Sequence, residues 1–118
     1  MKYLCLFYIE EKRITALPKS EFDALVGEHA AYDEELRKSG HFITSAPLQP
    51  AHTAMIVRVR NGKLSTTDGP FAETKEQLGG FDLIEARDLN DAVRIASKFP
   101  PARLGTVEVR ALAELSRP

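Results

Sequence analysis

A single cysteine among 118 residues rules out an internal disulfide, so packing and hydrogen bonding must hold this chain together. Cys5 lies in an apolar run, where it is expected to act as a small buried hydrophobe and not as a reactive thiol. Charge of one sign is lacking as well. There are 16 basic and 17 acidic residues, and the basic ones are dispersed, which removes the electrostatic footprint of direct nucleic-acid binding. No apolar run is long enough to cross a bilayer, so no membrane partner is expected. The N-terminus has neither a basic region nor a small-residue cleavage site, and the expectation is an unprocessed soluble protein of a reducing compartment, the cytoplasm by default. The patterns G-x-x-x-x-G-K-[ST], G-x-S-x-G and G-x-G-x-x-G are absent, which leaves NTP hydrolysis, α/β-hydrolase chemistry and dinucleotide binding without a signal. The three histidines show no H-x-x-x-H spacing and there is no CxxC, so no metal set and no cofactor are expected. His41 and His52 flank a strand and are expected at the surface or a sheet edge.

What remains is globular: 43% hydrophobic and 28% charged residues in a length that suits one two-layer domain. That domain is expected over residues 1–112, with 113–118 a frayed tail or exchange arm. Tyr3 to Ile9 is continuously apolar and predicts a central strand covered on both faces. Ser20, just after Pro18, opens a helix that Ser39-Gly40 ends. His41 to Leu48 reads as a strand. Thr53 to Arg60 alternates, and Asn61-Gly62 predicts a type I′ hairpin into Leu64 to Thr67. Phe81 to Ala86 is the next strand. Asp88 and Asp91 begin a second helix with an apolar stripe of Leu89, Ala92, Val93, Ala96 and Phe99, stopped at Pro100-Pro101. Thr106 to Arg110 closes the series.

This order predicts an α+β, ferredoxin-like sandwich, βαβ-hairpin-βαβ, with both helices on one face. The other sheet face is then bare although the first strand is apolar on both sides. A homodimer that packs the two open faces together would cover it, giving a dimeric α/β-barrel type of assembly.

Two stretches carry candidate chemistry. On the first helix, Leu25, Val26, His29, Asp33 and Leu36 fall within about 60° of Phe22 on the helical wheel, so His29 and Asp33 lie inside the apolar stripe. At i, i+4 the carboxylate can orient the imidazole as a general base, or the two form a structural polar pair. The second stretch is Asp68-Gly69-Pro70-Phe71-Ala72-Glu73-Thr74-Lys75-Glu76-Gln77-Leu78-Gly79-Gly80-Phe81. Its turn residues predict a rigid loop, with Thr74 and Gln77 boxing one helical turn that Gly79 stops. Asp68 is a third candidate catalytic group if it converges on His29 and Asp33; otherwise it caps its own turn. Phe71, Glu73 and Lys75 are the candidate substrate contacts. Lys75 is placed to pin an anionic group, or else lies on a solvated face.

The run from Asp68 to Phe81, with Met1-Lys2-Tyr3, the helix around His29 and Asp33, and Ser39-Gly40, resembles the DGPF-type signature of the YCII-related family over roughly residues 1–112. The resemblance implies a ferredoxin-like protomer in a dimeric α/β-barrel assembly. It also implies a His-Asp pair, matched here by His29 with Asp33 or His29 with Asp68. Members are often encoded beside extracytoplasmic-function sigma factors, and a few relatives act on chlorinated aromatic rings. Two functions follow as expectations: a small acid/base enzyme acting on a small polar or aromatic molecule, or a non-catalytic ligand-binding or regulatory module associated with a sigma factor.

Overall fold

The computed structural model describes residues 1–115. Six strands and four helices run in the order β1 Lys2–Ile9, α1 Glu11–Thr15, α2 Lys19–Lys38, β2 Phe42–Pro47, β3 Met55–Arg60, β4 Lys63–Asp68, β5 Gln77–Glu85, α3 Leu89–Ala96, α4 Pro101–Leu104 and β6 Thr106–Ala111. A short 3-10 turn, Ala51–Thr53, lies between β2 and β3. Four strands form one antiparallel sheet in the order β2-β5-β1-β6, the split βαβ arrangement expected from the sequence. The hairpin β3–β4 makes a sheet of its own.

Strand β1 is central, and its two faces differ. Tyr3, Cys5 and Phe7 are buried in the core, while Leu4, Leu6 and Tyr8 on the opposite face are only half-buried. The expected cover on both faces is therefore present on one side of the protomer. The core is completed by Leu36 from α2, by Ile84 and Ala86 from the β5 edge, and by Ala92, Ile95, Ala96 and Phe99 from the α3 region. Within the predicted α3 stripe, Ala92, Ala96 and Phe99 face inward, but Leu89 and Val93 are exposed and Ile95 takes an inward position instead. The cap itself is the expected one, since Asp88 Oδ1 accepts from Asp91 N at 2.8 Å and Asp91 Oδ2 accepts from Arg87 N at 3.0 Å; the helix ends at Ala96, so Phe99 reaches the core from beyond it.

Helix α2 ends where the sequence says it should. Gly40 has φ +82°, His41 N donates to Leu36 O and Gly40 N to Arg37 O, the paired bonds of a Schellman stop. Its N-cap is Pro18, and Ser20 lies inside the first turn without capping it. The hairpin turn at Asn61-Gly62 has φ +52° and +73°, as a type I′ turn requires. The stretch 70–76 forms no helical turn, and Gly79 lies inside β5, so the expected Thr74–Gln77 box is not made. Gln77 instead donates to Thr74 O and starts the strand, four residues before Phe81. Residues 112–115 carry no regular structure; the rest of the expected tail, 116–118, lies outside the described residues.

Candidate functional site

Only the C-terminal part of α2 packs closely on the sheet. Leu36 is buried, whereas Val26 and Phe22, about three and four turns earlier, are 53% and 41% exposed. The space left beneath them is a cavity of about 850 Å³. Its walls are apolar, with Phe7, Phe22, Leu25, Val26, Phe81 and Leu104 among them. Polar groups gather at the mouth, where Glu11 Oε1 accepts from Ala51 N and Glu11 N donates to Gln77 Oε1, lacing α1 to the 3-10 turn and to β5.

His29 projects from α2 into this cavity between two aromatic rings, edge-on to Phe7 at 5.1 Å and stacked with Phe99 at 5.2 Å. Its Nε2 lies 2.9 Å from Asp82 Oδ1 and 3.7 Å from Asp33 Oδ1. Asp33 reaches the ring because it is one turn further along the same helix face. Asp82 reaches it from below. It stands at the inward parity of β5, between Gly80 and Ile84, and all three are buried. Ser45 of β2 is the strand neighbour of Asp82, and its hydroxyl donates to Asp33 Oδ2 at 3.1 Å.

The electrostatics follow from burial. Asp82 is fully buried, and loss of hydration pushes its carboxyl up to about 7; the hydrogen bond from His29 works against that rise, and the Asp33 carboxylate adds to it. For His29, burial alone would lower the pKa, but the hydrogen bond and charge of Asp82, with the charges of Asp33 and Glu28, outweigh it and hold the ring above its ordinary value. Desolvation, aided by the Asp82 charge, raises the neighbouring Cys5 thiol to about 12, in keeping with an inert buried residue. The cluster can therefore store and pass a proton near neutral pH. The donor atoms of His29, Asp33 and Asp82 all lie within 4.8 Å of one another, so these residues could also hold a metal ion.

Asp68 does not join them. It ends β4 in register with Met55, is exposed, and is not part of the cavity wall. Among the described residues the hairpin strands pair only with each other, and that register carries Asp68 with it. Phe71, Glu73 and Lys75 are likewise exposed and away from the cavity; Phe71 is 79% exposed, with the Arg58 guanidinium 5.8 Å above its ring. Asp82 occupies the place expected for Asp68. Its signal in the sequence was a lone carboxylate at the inward position of an apolar strand, Phe81-Asp82-Leu83-Ile84. His52 stands exposed at the cavity mouth, and His41 sits at the sheet edge, where its Nδ1 meets Glu85 O at 2.8 Å.

Comparison with known proteins adds three findings. A model of the YCII-related domain matches residues 1–116. An uncharacterised protein of Rhizobium meliloti is 36% identical over 115 residues, covering 96% of this chain and 93% of the relative. The solved structure of 5-chloro-2-hydroxyhydroquinone dehydrochlorinase (TftG) from Burkholderia phenoliruptrix, in complex with 2,5-dihydroxybenzoquinone, is similar in fold, with a TM-score of 0.56 at 17% identity over 96% of this chain and 94% of that one.

Proposed function

Since the chain belongs to the YCII-related domain family, we propose that it is a small-molecule enzyme in which His29 moves a proton on a hydroxylated, predominantly apolar substrate. One observation carries this reading: an imidazole at the wall of an apolar cavity is hydrogen-bonded at 2.9 Å to a carboxylate that has no access to water. Asp82 fixes the ring through Nε2 and stabilises the imidazolium once a proton has been taken. Asp33, held by Ser45, supplies a second negative charge and completes the ring's orientation. Among the described residues Nδ1 has no hydrogen-bond partner, so it is the nitrogen left to exchange a proton with a ligand hydroxyl. Two carboxylates beside the ring disfavour an anionic substrate and favour a neutral one that ionises on reaction. The similarity to TftG, a dehydrochlorinase described with a dihydroxybenzoquinone bound, supports a planar hydroxylated ring as the first class to try; likeness of fold alone does not fix the chemistry.

The test is turnover of a panel of hydroxylated aromatic compounds. On any substrate found, His29→Ala is expected to lower kcat by roughly 10²- to 10⁴-fold, the range of a general acid/base, in a variant that circular dichroism shows to be folded. Undiminished kcat in that variant would refute the assignment. Binding of the panel without turnover would instead favour a recognition module.

A further inference from the structure

Two oxygens at the base of the cavity have no hydrogen-bond partner among the described residues: Asp82 Oδ2 and Asp33 Oδ1, both buried. Asp82 is inaccessible to solvent, so water does not satisfy it from outside. Buried polar atoms are rarely left in this state; a proton shared between the two carboxyls satisfies them in the protonated cluster, and once that proton is lost the two acceptors beside one imidazole call for a cation. We propose that His29, Asp33 and Asp82 form a binding site for a divalent first-row transition-metal ion.

The spacing fits. At metal–ligand bonds of about 2.1 Å, adjacent donors around one ion lie about 3.0 Å apart in an octahedral site and about 3.4 Å apart in a tetrahedral one. His29 Nε2 is 2.9 Å from Asp82 Oδ1 and 3.7 Å from Asp33 Oδ1, close to those edges, and one donor atom from each of the three residues lies within 4.8 Å of the other two. One imidazole with two carboxylates suits zinc, manganese or iron(II); it lacks the sulfur that selects copper(I) and the all-oxygen set usual for calcium. Ser45 supplies an outer contact of the kind that orients a ligand, since its hydroxyl holds the other oxygen of Asp33. All three ligands come from the floor and one wall of the cavity, which leaves further coordination positions for water or a ligand oxygen. The site goes beyond the proton-transfer reading and does not rest on it. A bound ion occupies Nε2 and both carboxylates, so the loaded and metal-free proteins are distinct states.

The experiment is titration of the chelator-treated full chain with zinc chloride by calorimetry and with cobalt(II) chloride by visible absorption. One ion per chain is expected, with His29→Gln and Asp33→Asn each weakening affinity at least tenfold, Ser45→Ala by a smaller factor, and His52→Ala at the cavity mouth leaving it unchanged. Circular dichroism melts of each variant establish that it is folded. Absence of saturable binding to the wild-type chain overturns the site while leaving proton transfer by His29 intact. Equal binding in folded His29→Gln and Asp33→Asn overturns it too, because the ion then lies elsewhere.

Discussion

At Asp82 a carboxylate stands where the fold calls for an apolar side chain, with buried neighbours Gly80 and Ile84 on the same strand face. Its pKa near 7, against an ordinary 3.8, has a consequence for stability in chelator. Between about pH 4 and 7 the folded state binds more protons than the unfolded one, so stability falls as pH rises through that window. The raised pKa of His29 acts in the same direction, since the stability it contributes is complete below its ordinary value of 6.5 and is lost as pH rises through the folded value. The ionisable groups around Asp82 are His29 and Asp33, with Cys5 nearby. Asp82→Asn keeps an acceptor for His29, offers Asp33 a donor and cannot ionise. It is expected to raise stability at pH 8 by about 1–3 kcal/mol, the cost of an unsatisfied buried group, and to flatten the pH slope. Thermal melts at pH 5 and pH 8 measure both, and a slope equal to wild type would contradict the account. His29 and Asp33 were legible as a pair because helical spacing is local. Asp82 was not, since it meets His29 across 53 positions and only the folded sheet brings them together.

At the level of elements, the readable boundaries were those written in local backbone chemistry. Gly40 stops α2, Asn61-Gly62 turns the hairpin, and Asp88 caps α3, each by bonds within a few residues. The stretch from Pro70 to Gln77 was misread where tertiary pairing outweighed a capping pattern: Gln77 goes into β5 opposite Ile9. The short α1 and α4 and the 3-10 turn had no strong periodic signal and arise where the chain must round the cavity mouth. Two glycines separate local from tertiary demands. A Cβ at Gly105 would lie 2.1 Å from Tyr8 O of β1, whereas one at Gly27 of α2 meets nothing within 4 Å. Gly105→Ala is therefore expected to destabilise by about 1–3 kcal/mol, the cost of overpacking. Gly27→Ala should stabilise by about 0.4–1 kcal/mol through helix propensity and a less flexible unfolded chain. Urea denaturation of the two variants checks the opposite signs.

Across the whole molecule, the radius of gyration is 16.5 Å, above the roughly 13.5 Å expected for a compact chain of this length. The excess reflects a two-layer body with the β3–β4 hairpin outside its sheet. Met55, Val57, Val59 and Leu64 of that hairpin are each more than half exposed, and Leu4, Leu6 and Leu83 leave the outer sheet face half-covered. Apolar surface of this kind calls for a partner, and a second copy of the chain is the proposed one. Light scattering at micromolar concentration is expected to give twice 13.1 kDa, and Leu83→Glu on the outer face to shift it towards the monomer. A wild-type mass of one chain would sink this proposal.

By itself the sequence determined the α+β element order, the helix stop, the hairpin turn and the presence of His29 and Asp33 on one inward stripe, because each depends on contacts a few residues apart. Only the tertiary structure decided which carboxylate completes the site. Strand register faces Asp82 towards the helix layer and sends Asp68 out on the hairpin, and the gap between α2 and the sheet turns a buried polar pair into the wall of a cavity.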